Sequence, residues 1–279
     1  MSITSSKRSK PGSLDQTAPD QSSDAGKGND QQGVTWGPWG AVLTAFIIFL
    51  AAQFIAAQVV SIYPALKHWS QAMTISWLGS SVFGQFFYFL IAETLTVLAI
   101  VYFIRWRRGS LKAIGLKRPK WVDIPYAFIG MLIYFPAFLI VVTVLMNLIH
   151  SFNVNQQQAI GFSTATTGWP LVLVFLSLVV MPPIAEEIMF RGFIYSGLKR
   201  KLPKIWAVLF TCALFAAPHL LEGKSGGPLW IAAVDTFILS LTLIWLREKT
   251  GRLYASMGLH GLKNLVAFVE LFPIIHMHL

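Results

Sequence analysis

Charged side chains are scarce in this sequence, and cysteine is nearly absent. Only 12% of the 279 residues are Asp, Glu, Lys or Arg, against about 25% in a typical soluble domain. With 55% of its residues hydrophobic, the composition excludes a soluble globular protein and indicates an integral membrane protein. The one cysteine, Cys212, excludes an internal disulfide. Because it lies inside an apolar run, we expect it to be a small buried hydrophobe rather than a nucleophile.

Several binding motifs are missing as well. The zinc-protease patterns H-E-x-x-H and H-x-x-E-H do not occur, and neither does a complete Walker-type glycine loop. No internal repeat of the kind found in secondary transporters is present. The formal charge is +10, but the basic residues lie between apolar segments, where they orient a protein in the membrane and contact anionic lipid. We therefore expect the lipid bilayer, and no nucleic acid, as a partner.

Long apolar runs are what the sequence has in abundance. They predict an all-α, polytopic transmembrane helical bundle of about seven spans. Of the 22 Lys and Arg residues, nearly all fall in the N-terminal tail and in every second connecting segment. This alternation predicts a cytoplasmic N-terminus and a multi-pass protein of the plasma membrane. The predicted spans are 39–62, 82–104, 124–149, 170–198, 205–221, 229–246 and 253–271.

The chain divides by composition into two parts. Residues 1–35 are rich in Ser, Gln, Asp, Gly and Lys, which predicts a disordered cytoplasmic tail. The pattern does not resemble a cleavable signal peptide. Residues 36–279 are predicted to form the transmembrane bundle, with a catalytic core at about 170–270.

The fourth predicted span contains Met181-Pro182-Pro183. Proline fixes φ, lacks an N–H group and biases the residue before it away from the helical region. We therefore expect a break or kink, with a fresh helix beginning near Pro183. Irregular backbone at membrane depth is tolerated only against protein or water, so this break should face the bundle interior or a cavity.

Three charged residues follow within the same apolar run. A charged side chain near the bilayer centre costs on the order of 2.5–3.5 kcal/mol, so such a cluster needs partners. Glu187 and Arg191 are four residues apart in the favourable order, which predicts an ion pair. Glu186 lies about 100° round the helix and has no local partner. It is the candidate general base that activates a water molecule; the alternative is a purely structural ion-pair cluster.

Two further polar sites lie on later apolar segments. His260 and Asn264 share a helix face and can donate hydrogen bonds to one oxygen, as an oxyanion site requires. His219 could orient the water or hold Glu186. The alternatives are an interfacial capping role for His219 after Pro218, and interhelical hydrogen bonding for the other two. No cofactor is certain, but Glu186, His219 and His260 could also hold a divalent metal such as zinc.

At these residues the chain resembles the CAAX prenyl endoprotease and bacteriocin-processing family, also called the CPBP or Abi family. The family signature is E-E-x-x-x-R, then F-x-x-x-H, then H-x-x-x-N or D, on successive transmembrane helices. The resemblance covers about residues 170–270. The matching positions are Glu186, Glu187, Arg191, Phe215, His219, His260 and Asn264.

The resemblance implies an intramembrane endopeptidase that hydrolyses a peptide bond in a membrane-associated peptide or protein. The substrate would be of the prenylated CAAX type or of the peptide-signal or bacteriocin type. In the family, the first glutamate activates water with the first histidine, and the last histidine and the asparagine stabilise the oxyanion. Two other hypotheses stay open: a non-catalytic membrane immunity or partner-binding protein, and a proton-coupled transporter.

Overall fold

Eight helices make up a computed structural model that describes residues 1–2, 33–162, 166–224 and 226–272. Within these residues there is no β-strand, and an isolated bridge joins Gln158 to Gly223. A single-turn 3₁₀-helix, Pro218–Leu221, follows the sixth helix. The helices are α1 Pro38–Leu66, α2 Gln71–Ser80, α3 Val82–Trp106, α4 Asp123–Leu148, α5 Pro170–Lys199, α6 Lys204–Ala216, α7 Trp230–Thr250 and α8 Tyr254–Leu271.

Six of the predicted spans coincide with helices that are long and apolar enough to cross a membrane. These are α1, α3, α4, α5, α7 and the stretch Lys204–Leu221, which joins α6 to the 3₁₀-helix. The predicted multi-pass helical bundle is therefore confirmed. The seventh predicted span is the 18-residue helix α8. Its polar residues, among them His260, Lys263 and Glu270, make it less apolar than the six spanning helices. Its crossing and the cytoplasmic N-terminus stay predictions.

Helix α2 was not predicted. Ser70 caps it by accepting a hydrogen bond from the backbone N–H of Met73 at 3.3 Å, and none of its residues is buried. Ser81 ends α2 and caps α3, so the two helices follow each other with a single residue between them. A ten-residue helix without a buried face gives no periodic signal in the sequence.

The sequence predicted a break or kink at the paired prolines; the helix does not end there, but it is distorted just before them. The chain stays helical from Pro170 to Lys199. It accommodates the prolines through π-helical turns at Leu176–Val180, just before them, and a second π-helical segment covers Glu187–Ile194. A π-helical turn bonds residue i to i+5, which widens the helix without ending it.

The helices that position the charged residues are closely packed in the bundle interior. Helix α5 contacts α1, α3, α6 and α8. At Gly197 an added Cβ would lie 2.5 Å from the Cβ of Ala41, so glycine lets α1 and α5 approach closely. Trp36 is buried beside this contact and donates from Nε1 to the backbone oxygen of Phe193 at 3.1 Å. The predicted tail lies mostly outside the described residues, and the division into tail and bundle stays a prediction.

Candidate active site

A fully buried ion pair forms the base of the site. Arg191 Nη1 lies 2.8 Å from Glu187 Oε1, and neither side chain is exposed (0%). The pair predicted from the i, i+4 spacing is therefore confirmed. The guanidinium Cζ also lies 4.1 Å from the ring centroid of Phe215. Arg191 Nε and Nη2 have no hydrogen-bond acceptor among the residues described here, so the aromatic face is the second partner of this cation.

His260 on α8 bridges the two glutamates. Its Nδ1 lies 3.2 Å from Glu187 Oε1, and its Nε2 lies 3.7 Å from Glu186 Oε2. Since a carboxylate only accepts, Nδ1 carries a hydrogen and donates it to Glu187. That bond fixes the ring orientation and directs Nε2 towards Glu186, which is the arrangement of a carboxylate–histidine pair. The sequence left interhelical hydrogen bonding open for His260 but did not identify Glu187 as its partner, because the two residues lie on separate helices.

Glu186 differs from its neighbour in its surroundings. Its side chain is 26% exposed, whereas that of Glu187 is fully buried. The 3.7 Å separation from His260 is longer than a direct hydrogen bond. Its carboxylate therefore stays available to bind a water molecule. The chain contributes this group from the last α-helical turn before the second π-helical segment.

Asn264 makes an interhelical hydrogen bond, the alternative that the sequence left open for it. Its Nδ2 donates to the backbone oxygen of Leu178 at 2.9 Å. In an α-helix this oxygen would accept from residue 182, and in a π-helix from residue 183; both are prolines and have no N–H group. Asn264 thus satisfies a carbonyl that the paired prolines leave unbonded. One of its two amide hydrogens is used in this way, and the other remains for the predicted oxyanion role.

His219 lies at the start of the 3₁₀-helix and hydrogen-bonds within its own chain segment. Its Nδ1 is 3.0 Å from the backbone oxygen of Phe215. A carbonyl only accepts, so Nδ1 is the donor, and Nε2 is the acceptor of the neutral ring. The capping arrangement that we left open as an alternative is therefore present. It does not remove His219 from the chemistry, because Nε2 is not used by this bond.

The ring of Phe215 ties these histidines to the ion pair. Its centroid lies 5.4 Å from that of His219 and 5.7 Å from that of His260. Contacts with Phe215 and His260 therefore link five of the six predicted residues: Glu186, Glu187, Arg191, His219 and His260 itself. Asn264 lies one turn beyond His260 on α8 and bonds to Leu178 instead. It does not bring together three His, Cys, Asp or Glu side chains that could hold a metal ion, among the parts of the chain it describes. The residues present do not fit the zinc site that the sequence left open.

Two polar features next to the site were given no role by the sequence analysis. Tyr134 donates a hydrogen bond to Asp235, whose other oxygen lies 2.9 Å from Lys263 Nζ. This cluster joins α4, α7 and α8, and its lysine directly precedes Asn264 in the chain. The second feature is Glu93 on α3, whose charge interacts with that of Glu186. Its only signal in the sequence is that it is a carboxylate inside an apolar span.

Two loops are joined at one end of the bundle, beside His219. The backbone N–H of Ala159 donates to the oxygen of Glu222 at 2.7 Å, and that of Lys224 donates to the oxygen of Gln157 at 2.9 Å. Gln158 adds a side-chain bond to Glu222 at 2.6 Å. These bonds link the loop before α5 to the loop after the 3₁₀-helix. By the charge pattern, this is the predicted outer end of the bundle.

An apolar cavity lies between α4 and α8 towards the opposite end. Its volume is about 730 Å³, and Gly261 and Val179 form its inner wall. Gly261 follows His260 in the chain, and Val179 follows the carbonyl group that Asn264 holds. Lys120, Trp121 and Asp123 line the cavity at the end that carries the basic loop.

Comparison with known proteins agrees with this geometry. Residues 167–266 match the family model described as Type II CAAX prenyl endopeptidase Rce1-like. Over 180 residues the chain is 28% identical to the UPF0177 protein YxdF of Lactococcus lactis. The matched region covers 61% of this chain and 88% of that protein. No solved structure gives a significant match. The resemblance read from the motifs is thus confirmed for residues 167–266, the segment that holds every predicted site residue.

Proposed function

Starting from the match of residues 167–266 to the type II CAAX prenyl endopeptidases, we propose that this protein is an intramembrane endopeptidase. The observation that carries the proposal is the contrast between two adjacent glutamates. Glu187 is buried and paired with Arg191, whereas Glu186 is partly exposed and has no direct hydrogen bond to His260. A structural ion-pair cluster needs Glu187 but has no use for Glu186.

In the proposed reaction, Glu186 is the general base. A water molecule bound to its carboxylate attacks the scissile carbonyl carbon, and the water proton passes to Glu186. His219 Nε2, which the bond to Phe215 leaves available, can orient the same water. The carbonyl oxygen becomes an oxyanion as the tetrahedral intermediate forms. Collapse of that intermediate then breaks the C–N bond and requires a proton on the leaving nitrogen.

His260 and Asn264 are the proposed donors to the oxyanion. His260 donates from Nδ1 to Glu187, and the two neighbouring carboxylates favour a second proton on Nε2, which the ring can then donate to the developing negative charge. Two carboxylates are then balanced by Arg191 and His260. Asn264 contributes its second amide hydrogen. Removing one donor of this kind typically lowers turnover by about 10²–10³-fold.

The proposed substrate is a membrane-associated peptide or protein. The apolar cavity beside His260 supports this class, because its wall suits a lipid chain or an apolar side chain better than a polar one. Within the class, prenylated CAAX-type proteins and peptide-signal or bacteriocin-type peptides are the two groups to test. We propose the plasma membrane as the location, on the basis of the charge pattern of the loops.

The test is cleavage of internally quenched peptides, with and without a C-terminal farnesyl group, by the purified protein in detergent. Wild type, Glu186→Gln and Glu270→Gln are compared. Glu270 is a matched control because it is an exposed carboxylate on α8, away from the ion pair. We expect Glu186→Gln to lose at least about 100-fold in turnover and the control to keep wild-type activity. A fully active Glu186→Gln variant would refute the proposal.

A chelator added to each reaction tests the metal question in the same experiment. The residues present do not fit a metal site, so cleavage should be insensitive to it. If the wild type cleaves none of the peptides, the non-catalytic immunity or partner-binding hypothesis gains support. That hypothesis predicts that Glu186→Gln keeps the biological effect of the wild type in cells.

A further inference from the structure

A third carboxyl group lies at the level of the site, on a helix that the sequence motifs do not include. Glu93 is 13 residues from the end of α3 at Trp106, and Glu186 is 13 residues from the end of α5 at Lys199. Both helix ends lead into basic segments, so both carboxyl groups lie about 20 Å from the same side of the bundle. The two helices are in contact along Met181–Glu186.

Glu93 lies at the depth of Glu186, on the helix that contacts Met181–Glu186. Its charge and that of Glu186 are close enough to interact across the contact between α3 and α5. The other charges that act on Glu186 are those of Glu187, Arg191 and Glu222, and His260 faces it from α8. Glu93 is thus the carboxyl group that α3 presents to the proposed base, on a different helix from His260.

The surroundings of Glu93 leave it unused by the fold. None of the side chains that the structure describes hydrogen-bonds to its carboxyl group or forms an ion pair with it. The residue is half-buried, and its oxygens are not among the sealed, unpartnered atoms of the interior. Tyr88, five residues before Glu93 on α3, donates a hydrogen bond to Gln53 on α1. No described side chain therefore accounts for a carboxyl group at this position inside an apolar span.

We propose that Glu93 is a catalytic residue of the proposed peptidase, the general acid that protonates the leaving nitrogen. The inference rests on the proposed function and assigns a second carboxyl group to the same reaction. Two carboxyl groups at close range repel each other when both are ionised, and one shared proton relieves that repulsion. One group is then the base and the other the acid, as in other two-carboxyl hydrolases.

Glu186 and Glu93 together take up and release equal numbers of protons over the reaction. Glu186 takes a proton from the attacking water as the C–O bond forms. Glu93 gives its proton to the amide nitrogen as the C–N bond breaks, which releases an amine. The proton on Glu186 then passes to Glu93, either directly or through a water molecule. Both groups return to their starting states, and no other reactant is consumed.

An amide and an ester substrate distinguish this role from a structural one. An amide nitrogen must be protonated to leave, whereas an alkoxide from an ester leaves with much less help. The cleaved bond of an active quenched peptide is first mapped by mass spectrometry, and a matched peptide is then made with an ester at that bond. We expect Glu93→Gln to lose at least about 100-fold in amide turnover and to keep ester turnover within about threefold.

The controls separate loss of the acid from loss of the fold. Glu186→Gln should lose both reactions, because both need an activated water, and Glu270→Gln should lose neither. Glu93→Asp keeps an acid with a shorter reach, so its ratio of amide to ester turnover should lie between those of wild type and Glu93→Gln. If Glu93→Gln does not fold, this ratio for Glu93→Asp decides the question.

Several results would overturn the inference. Glu93→Gln that cleaves the amide at the wild-type rate, or that loses amide and ester turnover equally, excludes the role of general acid. An unchanged ratio in Glu93→Asp does the same. These results leave the proposed function intact as long as Glu186→Gln is inactive. A wild type without peptidase activity overturns both proposals together.

Discussion

Replacing Arg191 by methionine should destabilise the protein by about 3–5 kcal/mol, because it removes one partner of a buried ion pair. The guanidinium lies 2.8 Å from the Glu187 carboxylate, and both side chains are fully buried (0% exposed). The substitution leaves a carboxylate without compensation in an apolar interior. It also removes the cation from the ring of Phe215, 4.1 Å away, a contact worth about 0.5–2 kcal/mol.

The double variant Glu187→Gln/Arg191→Met tests whether charge is the cause. A neutral amide in place of the carboxylate removes the unpaired charge and keeps an acceptor for His260. We therefore expect the double variant to be more stable than Arg191→Met alone, since neutral replacement of a whole buried pair is often tolerated. The effects of the two substitutions on the free energy of unfolding would then not add, which shows that Glu187 and Arg191 interact.

The assay is unfolding in mixed micelles of a mild detergent and increasing SDS, followed by tryptophan fluorescence. Lys204→Met is the matched control. Lys204 Nζ lies 3.0 Å from Glu248, but its side chain is 63% exposed, and a pair of this kind contributes about 0–1 kcal/mol. The reasoning is refuted if Arg191→Met stays within about 1 kcal/mol of the wild type, or if the double variant is less stable than the single one.

The same unfolding assay checks two further predictions. Asn264→Ala should cost about 1–3 kcal/mol, because the backbone oxygen of Leu178 loses its donor. Adding Pro182→Ala supplies a backbone N–H for that oxygen and should recover part of the loss; no recovery would contradict the assignment. Gly197→Ala should cost about 1–3 kcal/mol because its new Cβ overlaps α1. Gly79→Ala, with nothing within 4 Å, should be neutral or stabilising by about 0.5–1 kcal/mol; equal losses at both glycines would contradict the packing argument.

The sequence alone was enough for most of the bundle, because apolar runs of span length have one stable solution in a membrane. Where it failed, either a helix had no buried face or the decisive contact came from a distant part of the chain. Helix α2 has no buried face to produce a periodic pattern. The paired prolines predicted a break or kink, but the helix continues because an oxygen freed by a proline can be bonded from a neighbouring helix. Here Asn264 supplies that bond, 86 residues further along the chain.

The candidate site shows the same division between local and tertiary information. The ion pair of Glu187 with Arg191 followed from spacing within one helix. The bonds of His260 to Glu187 and of Asn264 to Leu178 join α8 to α5, and spacing along the chain does not encode them. Helical periodicity also assumes about 100° per residue, whereas Glu187–Ile194 has π-helical hydrogen bonds. For that reason the angle between neighbouring side chains was the least secure part of the prediction.

The wide turns at Leu176–Val180 have a consequence for changes in chain length. A π-helical turn contains one residue more than the α-helical turn that would join the same two ends. Before its prolines, helix α5 therefore contains one residue more than a regular α-helix joining the same two ends would need. A deletion there can be absorbed by conversion of the wide turn to an ordinary one, and Glu186 keeps its direction. A deletion in a regular stretch would instead rotate every later side chain by about 100°. Before Glu186, length variation in this helix is therefore tolerated in the wide turn and disruptive in the regular stretches.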